Sequence, residues 1–156
     1  MQPADFPVTE PWRWQDVSAA SGDQQCLYAW YKSLLRPHIE PIYGWDETFQ
    51  RQRFTEDYLP KDGEFLFVRG RQVGARFVQQ TKDGLHLKLL LIDPRHHRGG
   101  YGRLAVSELQ ITASLKQQPV FLSCFRSNMS AIKLYRSLGF ETERVEPHFL
   151  QMRWHT

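Results

Sequence analysis

The segment Ile92-Asp93-Pro94-Arg95-His96-His97-Arg98-Gly99-Gly100-Tyr101-Gly102-Arg103-Leu104-Ala105 constrains this chain most, because an apolar run, a basic glycine-rich turn and a helical run follow one another directly. Glycines at 99, 100 and 102 remove the Cβ atoms that would keep a ligand off the backbone. A helix opening just after them presents unpaired N–H groups and the positive end of its dipole. Such a strand–turn–helix suits a phosphate or pyrophosphate.

Two familiar phosphate loops fit poorly. A P-loop needs GxxxxGK[ST], and no Lys-Ser or Lys-Thr follows a second glycine at that spacing. The dinucleotide fingerprint is literally present as Gly100-x-Gly102-x-x-Ala105. It belongs after the first strand of a βαβ unit with an acid about 20 residues on, whereas several strand-like runs precede it here.

The third reading is carried by two motifs in order. Pro94, His97, Gly100 and Gly102 resemble Pro-x-x-[Gln/Arg]-x-x-Gly-x-[Gly/Ala], the acyl-CoA pyrophosphate turn of the GNAT superfamily of N-acyltransferases, with His97 where Gln or Arg is usual. Downstream, Asn128-Met129-Ser130-Ala131-Ile132-Lys133-Leu134-Tyr135-Arg136-Ser137-Leu138-Gly139-Phe140 resembles that superfamily's Asn-x-x-Ala-x-x-x-Tyr-x-x-x-Gly-Phe. Physically, Asn128 is a competent N-cap, Ala131, Leu134, Tyr135 and Leu138 share a helix face, and Gly139 supplies a left-handed stop.

The rest of the chain reads as β-α-α-β-β-β-α-β-α-β-β. A strand at 12–17 precedes a helix over 24–35 that ends near Pro37, and a second helix spans 46–58 up to Pro60. Strands at 64–69 and 72–81 form a hairpin through Gly70-Arg71, and a strand at 85–92 follows Asp83-Gly84. Helix 102–116, with Leu104, Ile111 and Leu115 as its apolar stripe, leads to a strand at 120–124, which a right-handed crossover makes parallel to 85–92. Helix 128–138 and strands 140–145 and 149–154 complete the order. It is similar to the GNAT fold, an α/β (α+β) single domain over residues 1–156 with a mixed sheet of about seven strands, a splayed parallel pair and about four helices.

The chain's size suits one compact domain, since 156 residues bury roughly two-thirds of their unfolded surface. The net charge of +3 comes from scattered Lys and Arg, which argues against nucleic acid. No apolar run reaches the ~18 residues of a membrane span, and residues 1–10 lack the features of a signal peptide. With Cys26 and Cys124 as the two cysteines, a reduced, cytoplasmic protein is expected. His96-His97 lacks carboxylates or cysteines at ligand spacing, so no metal is expected.

The resemblance implies an N-acetyltransferase that moves the acetyl group of acetyl-CoA to a primary amine by direct attack. Leu91, Ile92, His97, Arg98, Gly99, Gly100, Tyr101, Gly102, Arg103 and Asn128 then bind the acyl-CoA, with Arg95 and His96 adding positive charge. Tyr135 at the motif's tyrosine is the general acid for the departing thiolate. Many members carry a Glu base on the strand before the turn; 85–92 has none, which leaves His86, Asp46, Glu47, Glu146, His148 or a water chain. Arg36-Pro37, Gly44-Trp45-Asp46-Glu47 and His148-Phe149-Leu150-Gln151-Met152 are similar to a bacterial branch of the superfamily and point to Trp45, Asp46, Glu47 and His148 at the acceptor. A small amine or amino-acid-like acceptor is expected, and a homodimer is the assembly common in the family. The alternative is a non-catalytic acyl-CoA sensor of the same fold, suggested by the missing Glu.

Overall fold

The computed structural model describes residues 11–156. Its elements are β1 (Trp12–Asp16), α1 (Ser21–Tyr43), α2 (Glu47–Asp57), β2 (Gly63–Val68), β3 (Arg71–Thr81), β4 (Gly84–Ile92), α3 (Tyr101–Leu115), β5 (Val120–Phe125), α4 (Met129–Ser137), β6 (Glu141–Val145) and β7 (Phe149–Trp154). The order of elements is the one expected. One sheet runs β1-β2-β3-β4-β5-β7-β6, antiparallel throughout except for the parallel β4–β5 pair.

Helices cover both faces. Leu27, Tyr28, Trp30, Tyr31 and Ile39 of α1 and Phe54 of α2 pack with Phe65, Ala75, Phe77, Leu89 and Leu91 on one side. Val106, Leu109 and Ala113 of α3 and Ile132 and Tyr135 of α4 pack with Leu85, Leu87, Val120, Leu122, Leu150 and Met152 on the other. The burial of apolar surface in these two clusters is the main stabilisation of the sheet.

Local chemistry sets several boundaries. Asp46 caps α2 by accepting from Phe49 N at 2.8 Å, and Asn128 caps α4 by accepting from Ala131 N at 3.3 Å. Gly139, at φ +93°, ends α4 while Phe140 N donates to Tyr135 O at 3.0 Å, a Schellman closure. Arg76, buried on β3, ties the sheet to α3. Its guanidinium reaches both Glu108 oxygens at 3.2 Å, Glu64 at 3.3 Å and Ala105 O at 2.9 Å, and lies 3.7 Å over the Trp14 ring.

Three expectations are corrected. Helix α1 does not end near Pro37; it continues to Tyr43 with Pro37 and Pro41 inside it. The prolines remove two backbone bonds, but burial of Ile39 and the Arg36–Glu40 ion pair at 2.8 Å hold the last turns until Gly44. The β2–β3 turn is Arg69-Gly70, both at positive φ, not Gly70-Arg71. In α3 the expected stripe is turned outward at its far end, with Ile111 63% and Leu115 83% exposed; the smaller Ala105, Val106 and Ala113 face the sheet with Leu109.

Candidate functional site

Strands β4 and β5 are paired only at Leu85–Val120 and His86–Phe121. Beyond that vertex they part. A cause lies in β4, where the register with β3 shifts between Phe77 and Val78 and leaves Lys88 without a partner. In a regular strand, residues two apart share a face. Here Leu85 and Leu87 join the α3–α4 cluster while Leu89 and Leu91 join the α1–α2 cluster. The extra residue therefore changes the phase of the strand, and alternate N–H and C=O groups of the following residues face a gap instead of β5.

That gap is a cleft of about 1330 Å³. Leu90, Ile92, Leu122, Ala131 and Leu134 give it apolar walls, and the glycine turn closes one end. Asp93, 2% exposed, organises this turn. It accepts from Arg95 N at 2.9 Å and from the Arg95 guanidinium at 2.7 Å, and these bonds hold its carboxyl below the usual carboxylate range. His97 Nε2 lies 2.9 Å from Ile92 O, so its ring braces the turn across the strand end. Arg98 and Gly100 have φ of +70° and +77°, which aims the chain into α3. Space is open around the Cβ position of Gly100, whereas a Cβ on Gly102 would lie 3.3 Å from Leu134 Cδ2. The unbonded N–H groups of the first α3 turn belong to this region, beside Arg98, Arg103 and His96.

Of the residues expected to bind acyl-CoA, Ile92, His97, Arg98, Gly100, Tyr101, Gly102, Arg103 and Asn128 line the cleft. Leu91 is fully buried against α1, and the Cβ position of Gly99 lies against the Tyr101 ring. Arg103 donates to Ser137 Oγ at 2.6 Å, which binds α3 to α4 at the rim. Tyr135 is 8% exposed and lines the cleft from α4. Burial, with a smaller effect from Cys124, raises its phenol well above the ordinary tyrosine value. The Cys124 thiol on β5, in the same cleft, is pushed up to about 11 by burial.

The opposite end is walled by α1 and α2 through Tyr31, Leu35, His38, Gln50, Arg53 and Tyr58. Trp45, Asp46 and Glu47 stand behind this wall. Asp46 is spent as the α2 cap, and Glu47 accepts from Trp45 Nε1 at 2.7 Å, pairs with Lys32 at 2.9 Å and accepts from Tyr28 Oη at 3.1 Å. The Trp45 and Lys32 bonds hold Glu47 down at about 2. His148 lines a separate pocket of about 440 Å³, and Glu146 accepts from Gln151 Nε2 on β7. His86 lies at the vertex, stacked on Phe121 at 4.9 Å, with its imidazole lowered by burial and by Lys88.

Sequence reasoning names His38 only within the stretch Arg36-Pro37-His38-Ile39-Glu40 expected to frame the acceptor, and does not single out Lys88 or Tyr58. Lys88 donates to Asp57 O at 2.5 Å and ties the bulge to the end of α2. No local sequence signal marks that bulge, since Leu85, Leu87, Leu89 and Leu91 alternate as in a regular strand. Among the described residues there is no group of three His, Cys, Asp or Glu placed to hold a metal, and no helix long and apolar enough to cross a membrane.

Comparison with known proteins places this parted parallel pair and glycine turn within a family. The profile of the family described as FR47-like protein fits residues 70–149, which run from β3 to the start of β7 and contain the whole turn and both parted strands. The chain belongs to the FR47-like family, within the GNAT superfamily of N-acetyltransferases. No curated protein matches the sequence.

Solved structures share the fold at low identity. PaiA N-acetyltransferase from Thermoplasma acidophilum, in complex with coenzyme A, is 14% identical with a TM-score of 0.75 over 93% of this chain and 99% of that one. The ribosomal-protein-S18-alanine N-acetyltransferase from Escherichia coli is 22% identical, with a TM-score of 0.61 over 92% and 93%. A GNAT-family acetyltransferase from Listeria monocytogenes is 15% identical, with a TM-score of 0.59 over 93% and 95%. The mixed seven-stranded sheet with its parallel pair and four helices matches the fold of these acetyltransferases.

Proposed function

We propose that this protein is an acyl-CoA-dependent N-acetyltransferase that passes the acetyl group of acetyl-CoA directly to a primary amine. The observation that carries this reading is the parting of β4 from β5 above the N-terminus of α3, with Tyr135 on the cleft wall. The residues present suit the cosubstrate. Gly100 leaves the backbone open where a pyrophosphate would approach, the first N–H groups of α3 and Arg98 supply donors and charge, and the β4 edge offers unpaired amide groups to an extended pantetheine arm. The binding of coenzyme A by the Thermoplasma relative supports the same assignment.

In this reading Tyr135 protonates the departing thiolate. Burial keeps the phenol neutral and ready to donate, although it also weakens the acid. The same apolar surroundings strengthen a thiolate as a base, as the raised Cys124 thiol indicates, which offsets part of the phenol's shift. A backbone N–H of the parted β4 edge is the donor for the oxyanion that forms at the carbonyl. The acceptor is a small amine or amino-acid-like molecule, and the protein acts in the cytoplasm, where its free Cys26 and Cys124 remain reduced.

Calorimetric titration with acetyl-CoA, followed by thiol release with a panel of amines, tests the proposal. Tyr135→Phe should retain acetyl-CoA binding and lose roughly 10²-fold or more in kcat. Unchanged turnover in that variant across pH would remove Tyr135 from the acid role, and failure of the intact protein to bind acetyl-CoA would overturn the whole reading.

A further inference from the structure

A primary alkylamine is protonated up to a pH of ~10 and cannot attack until it loses a proton. Strand β4, where many members of the superfamily carry a Glu, offers no carboxylate in this chain. The carboxylates Asp46, Glu47 and Glu146 are engaged in caps and pairs away from the cleft, and Asp57, which lines it, is paired with Arg53 at 3.1 Å.

His38 is placed differently. It lies in the part of α1 that continues past Pro37, and it lines both the main cleft and the smaller pocket. Its ring stacks on Phe125, a cleft residue, at 5.8 Å and 18°. Nδ1 lies 2.6 Å from Ser127 Oγ, a residue of the smaller pocket. When Nδ1–H donates to Ser127, Nε2 carries the free lone pair, and Nε2 has no hydrogen-bond partner among the described residues. Burial lowers this imidazole below its ordinary value, so it is uncharged at neutral pH.

We propose that His38 is the general base of the acetyl transfer: it takes a proton from the incoming ammonium at Nε2 and releases it to solvent through the pocket between α1 and the β6–β7 turn. This rests on the acetyltransferase reading above. The proton balance closes as follows: the ammonium gives one proton to His38, its freed electron pair forms the N–C bond, and the C–S bond breaks. The thiolate takes the Tyr135 proton, and the second proton shed by the acylated nitrogen restores the phenol.

The titratable and charged groups of the surrounding elements are Arg126 and His148 across the smaller pocket, Tyr43 and the Arg36–Glu40 pair on α1, and Cys124 and Tyr135 across the cleft. Arg126 is occupied by the carbonyls of Glu146 and Pro147 at 3.3 and 3.2 Å.

The test compares the intact protein with His38→Gln, using acetyl-CoA and two acceptors: the alkylamine acetylated fastest in a panel, and an aniline that is already deprotonated at pH 7. His38→Gln should keep the acetyl-CoA Kd and the Tm, lose about 10²-fold in kcat/KM for the alkylamine at pH 7, recover part of this by pH 9.5, and lose little with the aniline. Ser127→Ala should show the same acceptor selectivity with smaller amplitude, as expected of a positioning residue. Equal losses for both acceptors, or no loss for the alkylamine, would overturn the base assignment while leaving an active acetyltransferase. An intact protein that binds no acetyl-CoA would overturn the underlying reading and this proposal with it.

Discussion

Replacing Gly102 with alanine should move stability and ligand binding in opposite directions. The residue sits in the first turn of α3 at an ordinary helical φ, so the exchange gains helix propensity of up to about 1 kcal/mol. Against this stands one tight contact, 3.3 Å to Leu134 Cδ2, with Ile92 Cγ1 at 3.9 Å and Leu90 Cδ2 at 4.0 Å. Leu134 is the flexible end of a side chain beside an open cleft, so it can give way at small cost. The net expectation is a Tm unchanged or raised by about 2–4 °C. The new methyl, however, projects among three cleft-lining side chains at the point where a phosphate must approach the α3 backbone. Loss of one charge-assisted hydrogen bond there costs about 1.5–3 kcal/mol, roughly a 10- to 150-fold rise in the Kd for acetyl-CoA. Differential scanning fluorimetry without ligand and calorimetric titration of acetyl-CoA measure the two terms separately. A fall in Tm of several degrees would show that the helix packs too tightly for the methyl; an unchanged Kd would show that the ligand does not approach this turn.

Two further predictions concern the frame around the cleft. Asp93 has a folded-state carboxyl below its unfolded value, so its contribution is present above the unfolded value near ~3.9 and is lost as pH falls through the lower folded one. Denaturant midpoints between pH 2 and 5 should therefore fall less steeply for Asp93→Asn than for the native chain, and parallel profiles would contradict this. Arg76→Met removes the cation that joins β3 to α3 but leaves Glu108 and Glu64 with 21% and 36% of their side chains in solvent. The loss should thus be about 2 kcal/mol, smaller than for an orphaned, fully buried charge, and urea unfolding should show it.

The legible parts of the sequence were those with local chemical punctuation. Asn128 and Gly139 bracket α4, Asp46 starts α2, and the glycine turn separates β4 from α3, each through a backbone requirement that few residue types meet. Where distant packing decides, the pattern misleads. Pro37 and Pro41 read as a stop, yet Ile39 in the core holds the helix together past both. Ile111 and Leu115 read as core, yet small side chains take the sheet-facing positions because α3 packs closely against β4 and β5. The candidate site followed the same rule. The glycine-turn end of the cleft is built from consecutive residues and is legible in the sequence, whereas the end proposed for the acceptor joins α1 to the β5–α4 loop, 89 residues apart at His38 and Ser127. Trp45, Asp46 and Glu47 carry the right chemistry for an acceptor site, but Trp45 and Glu47 bond to each other, Glu47 also to Tyr28 and Lys32 of α1, and Asp46 caps α2.

The narrow β4–β5 vertex has a mechanical side. Two backbone pairings, the stacked His86–Phe121 contact and the α3–α4 apolar cluster, in which Leu85 and Leu87 of β4 pack with Val120 and Leu122 of β5, link the strands β1 to β4 to the strands β5 to β7. Beyond that vertex the facing edges of β4 and β5 carry no backbone bonds to each other. A ligand that lay along the parted edges and bonded to both would act as a strut between them, completing the sheet as well as filling the cleft.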